Sequence, residues 1–266
     1  YRSIKAGMVT IFKPIRGIKL KTIIWNENNI SIISNNIEAS EHKHVMLHVF
    51  YKPTKPMTVI VNNKEITGNC IIVDSNVPHL LPHQDDLIFF TCIDSATSTA
   101  QQIQRKHLCE SSFKVVPANE TLATSDSFLS GLNASDYDDF FKNLMINLGI
   151  NVMRQLKMDQ RIHTLIKEIN AFKHIESTTG QIADRFYLSE SRLSHLFKRE
   201  TGNALKSVLL LTKLKKAYKL VLSGINITEA AIESGFYSAS HLAETNQKMM
   251  GMNICKAIKD SRFLEV

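Results

Sequence analysis

The chain has 266 residues, of which 44% are hydrophobic and 21% charged, and its 32 Lys and Arg against 25 Asp and Glu give a formal net charge of +7. That length supports two ordinary domains with real cores, and the absence of any run of 18 apolar residues excludes a membrane-spanning helix. The four cysteines, Cys70, Cys92, Cys109 and Cys255, show no CxxC spacing, which argues against a disulfide framework and for reduced thiols.

The first residues, YRSIKAGMVTIFKP, hold no apolar export-signal core, so a cytoplasmic location is expected. From residue 8 to about 95, the runs MVTIF, KLKTIIW, ISIIS, VMLHVFY, MTVIVN, CIIVD and LIFFTCI are separated by Asn, Pro and Gly. Short β-rich runs with such punctuation predict an antiparallel β-sandwich or barrel. VNNKEITG reads as a hairpin turning on Asn62 and Asn63, residues that tolerate positive φ.

Five of the ten histidines, His42, His44, His48, His79 and His83, fall in this region. In EHKHVMLH, the period of two places His42 and His44 on one face of a strand. The first reading is a pocket for a small polar effector, lined by His42, His44, His48 and His79 with Trp25 as a flat apolar wall, and no cofactor. The second is a metal held by His42, His44 and His79, since imidazole suits Fe, Ni or Zn.

Helical periods begin near residue 100. In SDYDDFFKNLMINLGINVMRQL, Phe140, Leu144, Leu148, Val152 and Leu156 recur every four residues, with Phe141 and Met145 beside them. This predicts one long amphipathic helix over 136–156, capped by Ser135 or Asp136. Its stripe packs on its own domain or, in a second reading, forms a dimer seam of Phe140, Phe141, Leu144, Leu148 and Val152.

Residues 157–266 read as all helix. They hold 17 Lys and Arg against 11 Asp and Glu, so the basic character belongs to this part and suggests a nucleic-acid partner. DQRIHTLIKEINAF is an amphipathic helix opened by Asp159. TTGQIADRF, the turn YLSE and SESRLSHLFKRE then form a helix, a turn and a second helix with Ser189 as its N-cap. The rod NALKSVLLLTKLKKAYKLVLSG ends at Gly224. ITEAAIESG, FYSA and SASHLAETNQKMMG repeat the pattern, and two helix-turn-helix units on a connecting helix are hard to obtain from an ordinary bundle. In the first unit Leu193, Leu196 and Phe197 form a buried face, leaving Ser191, Arg192, His195 and Arg199 along the side that would read base edges.

LSESRLSHLFKRETGN, LLLTKLKKAYKLVLSG and ITEAAIESGFYSASHL together resemble the AraC/XylS family of bacterial transcription regulators over roughly 157–262. The resemblance implies an α+β chain. Its N-terminal part, 1–156, would be a cupin-like barrel (about 8–95) with dimerisation helices (about 100–156), and 157–266 would be a DNA-binding domain with two helix-turn-helix units. It implies an activator rather than an enzyme, working as a homodimer on double-stranded DNA with RNA polymerase as partner and no membrane attachment. Base contacts fall to Ser191, His195 and Arg192, next to the capping Ser189, with Lys198 and Arg199 near phosphates. The family's sensors take sugars, urea, bicarbonate or fatty acids. The polar, histidine-rich barrel disfavours a fatty acid and leaves a sugar, urea or a similarly small polar molecule as the expected effector. Metal-binding cupins use an HxH with a later His, but their following Glu is missing here, His48 standing near its place. A cupin-type metal-dependent enzyme or metal sensor is therefore the second functional reading.

The second unit departs from the family pattern, with Glu244 where an Arg is usual, Asn246 where an aromatic is usual, and no Pro after the final Gly. Residues 223–266 carry a net charge of −1 and 157–222 a net of +7. The phosphate-binding contribution is thus expected from the first unit and the rod, with Ser238, Ser240 and His241 as the second unit's DNA-facing groups.

Overall fold

The structure, a computed structural model, describes residues 21–26, 28–52, 55–117, 131–154, 157–259 and 261–265. The expected strand MVTIF, the residues before Lys21 in KLKTIIW, and Leu156 lie outside these residues.

The β-runs become β1 (Lys21–Trp25), β2 (Asn29–Ser34), β4 (Met46–Tyr51), β5 (Met57–Val61), β7 (Cys70–Val73) and β9 (Ile88–Asp94). The sequence reading did not resolve β3 (Ile37–His42), β8 (His79–Gln84) or β10 (Phe113–Val116) as strands. The hairpin of β5 with β6 (Lys64–Gly68) turns on Asn62 and Asn63, at φ 49° and 61°. Both residues thus occupy the left-handed region that a two-residue type I′ connection requires.

A seven-stranded sheet runs β10-β7-β4-β9-β2-β1-β11, where β11 is Arg262–Glu265, and a four-stranded sheet runs β3-β8-β5-β6. Strand alternation sends Ile23, His48 and Phe50 to the inside and Ile24, Leu47, Val49 and Tyr51 to the outside. The outer face is covered by α1 (Ser98–Ile103), a following π-helical turn (Gln104–Leu108) and α2 (Ala134–Asn147). Both faces of this sheet are therefore buried, which is why β4 and β9 read as mostly apolar runs rather than as alternating ones.

The long helix expected over 136–156 is shorter. Asn133 caps α2 by accepting from the Asp136 amide, and the helix stops before Gly149, at φ 66°. Phe140, Leu144 and Leu148 are buried against Ile33, Tyr51 and Phe89 of the same chain, with Phe141 and Val152 partly buried beside them. Phe140, Leu144 and Leu148 of the second reading's dimer seam are thus covered by the sheet of their own chain, while Phe141 and Val152 stay partly exposed.

The C-terminal part is α3 (Gln160–Asn170), α4 (Thr179–Arg185), α5 (Glu190–Thr201), α6 (Leu205–Leu222), α7 (Ile227–Glu233), α8 (Ala239–Met250) and α9 (Ile254–Ile258). Asp159 caps α3 and Ser189 caps α5 as the sequence indicates; Thr178 and Gln181 form a capping box on α4. The chain then returns to the N-terminal sheet, where β11 (Arg262–Glu265) pairs parallel with β1. The expected boundary at residue 157 therefore does not separate the two parts in space. One contiguous core joins the barrel interior to the C-terminal helices.

Inside that helical part, buried Glu168 accepts from His174 and from the Arg185 guanidinium, tying α3 to α4. The Arg185 hydrogen bonds hold the Glu168 carboxyl down to about 2, well below its ordinary 4.5. A carboxylate depressed on folding contributes stability that is complete above its ordinary range and lost as pH falls through the folded value. Thermal unfolding between pH 6 and pH 2.5 should therefore show Tm falling below about pH 4.5. Glu168→Gln should lower the plateau and flatten this decline.

Candidate nucleic-acid interface and ligand cavity

Ser189, Ser191, Arg192, His195, Lys198 and Arg199 are all exposed on α5, while Leu193, Leu196 and Phe197 are buried beneath them. The amphipathic spacing thus produces the two faces expected of it. Ser189 spends its side chain on the Arg192 amide, and Arg199 forms an ion pair with Glu200 at 2.8 Å. Ser191, Arg192, His195 and Lys198 remain the groups presented outward, and α4 packs behind them.

In the second unit, Ser238 caps α8 by accepting from the His241 amide, and Ser240 is exposed. His241 is half-buried, stacking on Tyr237 with ring centroids 5.5 Å apart. Asn246 is a structural residue. It is fully buried, accepts from the Tyr218 hydroxyl at 2.8 Å and donates to the Met252 carbonyl at 2.6 Å. A polar network thus occupies the place of the usual aromatic, and Glu244 stays exposed.

Two tyrosines escaped the sequence reading. Tyr187 and Tyr237 sit in the turns of the two units, 97% and 92% exposed. A tyrosine in each turn, in YLSE and in FYSA, was the available signal. The rod contributes fewer outward cations than its composition suggested. Lys213 and Lys216 donate to the Gly235 and Glu233 carbonyls, and Lys215 is buried 3.6 Å from Asp94 of β9. The expected phosphate contacts from the rod are reduced accordingly.

The histidines of the barrel converge. His42 and His79 are cross-strand partners on β3 and β8, His48 comes from β4 in the other sheet, and His44 lies in the connection after β3 rather than on the strand expected for it. One ring nitrogen from each can be chosen so that all four lie within 4.8 Å of one another, and all four residues are buried. His83 is not among them; it is surface-exposed beside Asp85. Burial, with the neighbouring imidazoles, holds His42 down to about 4 and lowers His44 and His48, and burial alone lowers His79, so the rings are neutral near pH 7.

The imidazoles form one end of a cavity of about 70 Å³. Trp25 lines it as expected, but most of the wall is apolar, including Ile30, Ile32, Met46, Phe50 and Phe90. The polar pocket inferred from the histidines is thus confined to one end. Part of the wall comes from the C-terminal part, with Tyr218 of α6, Met250 of α8, Met252, and Ala257 of α9. Nothing in the sequence pairs these residues with the barrel.

Residues 182–256 match the family model of a helix-turn-helix domain. Residues 182–256, which span both units and the rod, thus form a helix-turn-helix domain. No curated protein matches the chain. Among solved structures, the chain is similar to unsaturated fatty acid bound wild-type ToxT from Vibrio cholerae strain SCE256. The TM-score is 0.52 at 11% identity, covering 90% of this chain and 91% of that one. An apo ToxT variant from the same strain gives 0.52 at 11% identity, over 86% and 96% of the two chains. Similarity to the C-terminal domain of AraT, a response regulator from Geobacillus stearothermophilus, covers 38% of this chain and 86% of that one, at 22% identity and a TM-score of 0.35. The barrel and the helix-turn-helix domain thus occur together in a known fold. Among the described residues, no helix is long and apolar enough to cross a membrane.

Proposed function

We propose that the chain is a ligand-responsive, sequence-specific DNA-binding transcription regulator, not an enzyme, in which the ligand sits between the barrel and the AraC-type domain. The observation that carries this reading is the shared lining of the cavity, which draws on imidazoles and apolar groups of the barrel together with Tyr218, Met250, Met252 and Ala257 of the C-terminal part. A ligand touching both parts binds differently when their arrangement changes, which is the condition for shifting a conformational equilibrium. The two units, held on one rod, enter successive major-groove segments, α5 being the main reader through Ser191, Arg192 and His195.

The effector of this reading is small, with an apolar body and one polar or anionic group. A cavity of about 70 Å³ holds roughly five waters. A sugar or urea, the chemistry expected at first, would set hydroxyl or amide groups against Ile and Phe side chains without partners. The similar ToxT is described as bound to an unsaturated fatty acid; a much shorter amphiphile meets the same lining here, and a longer one would push Tyr218 and the methionines aside. Activation through RNA polymerase and a homodimer belong to the same proposal, the dimer seam lying away from the buried Phe140 stripe, where Ile146 and Met153 are exposed.

Selection from a random duplex pool tests this function. Two enriched elements, centred about one helical turn apart, are expected. Recovery of no motif above the non-specific background would contradict the reading.

A further inference from the structure

We propose that His42, His48 and His79 hold a divalent first-row transition ion of the kind imidazole prefers, with its fourth coordination position facing His44 and the apolar cavity. The inference rests on the cavity being the effector site and specifies how that site would take an anionic group.

Ring orientation carries the argument. His42 Nδ1–H donates to the Ser40 carbonyl and His79 Nδ1–H to the Val77 carbonyl, both at 2.8 Å. Each neutral ring therefore turns a bare Nε2 lone pair into the cluster. A backbone carbonyl on the far nitrogen is also what fixes tautomer and direction in metal-bound histidines. His79 Nε2 is buried and has no hydrogen-bond partner among the described residues. Such an acceptor is costly to leave unmatched, and a metal would satisfy it.

His44 is different. Its Nδ1 accepts from the Met46 amide at 3.1 Å, so its Nε2 carries the proton and donates to His48 Nε2 at 2.8 Å. His48 Nε2 is thus the third lone pair, and His44 is a hydrogen-bond donor rather than a ligand. Nitrogen ligands about 2.0–2.1 Å from a tetrahedral zinc lie roughly 3.3 Å apart, so a cluster spanning at most 4.8 Å closes on an ion with small ring movements. Ring centroids of His42–His79 and His48–His79 are already 4.2 and 4.4 Å apart.

The donor set also determines what the fourth position takes. Three neutral imidazoles leave the ion's double positive charge uncompensated, and no carboxylate lines the cavity among the described residues. A buried charge without a partner is expensive. An anion such as a small carboxylate relieves it, the His44 Nε2–H donates to that ligand, and the apolar wall covers the tail.

The experiment adds Co²⁺ to the chelator-treated full chain, reads the visible d–d absorption, and measures Zn²⁺ retained after gel filtration. One equivalent per chain, with an intense tetrahedral spectrum, is expected. His79→Gln and His48→Gln should each weaken binding by more than about a hundredfold, the upper end of what losing a ring's outer partner costs. His44→Gln should keep the ion, and butyrate should shift the bands in the wild type. Failure of wild-type protein to retain Zn²⁺ or to develop the Co²⁺ spectrum would overturn the metal site, as would His44→Gln losing the ion while His79→Gln keeps it. Specific DNA binding, measured on the same samples, reports separately on the regulator reading.

Discussion

Lys215→Met will destabilise the chain by about 3–5 kcal/mol, although methionine fills nearly the same space. Lys215 and Asp94 are both buried, 8% and 7% exposed in their side chains, with Nζ and Oδ2 3.6 Å apart. Lys215 lies on α6 and Asp94 ends β9, so the pair fixes the rod against the barrel. Removing the cation leaves a carboxylate whose other described side-chain contact is the Ala96 amide at 3.0 Å. Adding Asp94→Asn keeps that acceptor and removes the stranded charge, so the double variant should recover most of the loss. Urea unfolding of the single and double variants measures both. A single-variant loss below about 1 kcal/mol, typical of exposed pairs, would mean that the rod is not fastened at this point.

Gly251→Ala is the second large effect, and Gly202→Ala is its control. Both glycines follow a recognition helix, at φ 65° and 77°, so alanine carries the left-handed cost of about 1–2 kcal/mol at either site. At Gly202 an added Cβ meets open space, whereas at Gly251 it would lie 2.3 Å from the Ser40 carbonyl oxygen and 2.6 Å from His42 Nδ1. The Gly251 carbonyl also accepts from the Ser40 amide at 2.9 Å and its hydroxyl at 2.7 Å. Alanine must therefore break the joint between α8 and β3, adding a further 1–3 kcal/mol or so of overpacking. It also disturbs the carbonyl that orients His42. Urea unfolding should place Gly251→Ala well below Gly202→Ala. Equal losses would mean that α8 does not rest on the barrel in solution.

The exposed face of α5, proposed to read DNA, was legible in the sequence because its amphipathic pattern depends on local spacing. Leu193, Leu196 and Phe197 recur at helical intervals, Ser189 stands where a cap belongs, and the same grammar returns at Ser238. Strands rich in Ile, Val and Phe were legible for the same reason. IEASEH and HLLPHQ were not, because β3 and β8 are polar, one carries a proline, and their pairing is irregular between Ile37 and His42. The length of α2 was overread because its four-residue period continues past Gly149, where a positive φ ends the helix. Phe140, Leu144 and Leu148 of the dimer seam are covered by their own sheet: periodicity identifies an apolar face but not what covers it.

The cavity was only half legible. A cluster of histidines signals a site, yet convergence of His42, His48 and His79 depends on two sheets meeting, and the apolar remainder comes from alternating residues that read simply as core. Part of its wall comes from more than 200 residues along the chain, and the return of β11 to β1 leaves no local signature in RFLE. Asn246 was the reverse case. It departed from the family pattern, and the reason, a buried amide between the Tyr218 hydroxyl and the Met252 carbonyl, is tertiary.

That α5 reads base sequence is tested most directly by fluorescence anisotropy on a selected duplex and its scrambled counterpart, for the wild type and Ser191→Ala/His195→Ala. Wild-type affinity for the selected duplex should exceed that for the scrambled one by about a thousandfold or more. The double variant should bind both with the same weak, salt-dependent affinity, since the phosphate contacts persist. A double variant that still discriminates as the wild type does would place sequence reading elsewhere in the molecule and contradict the account.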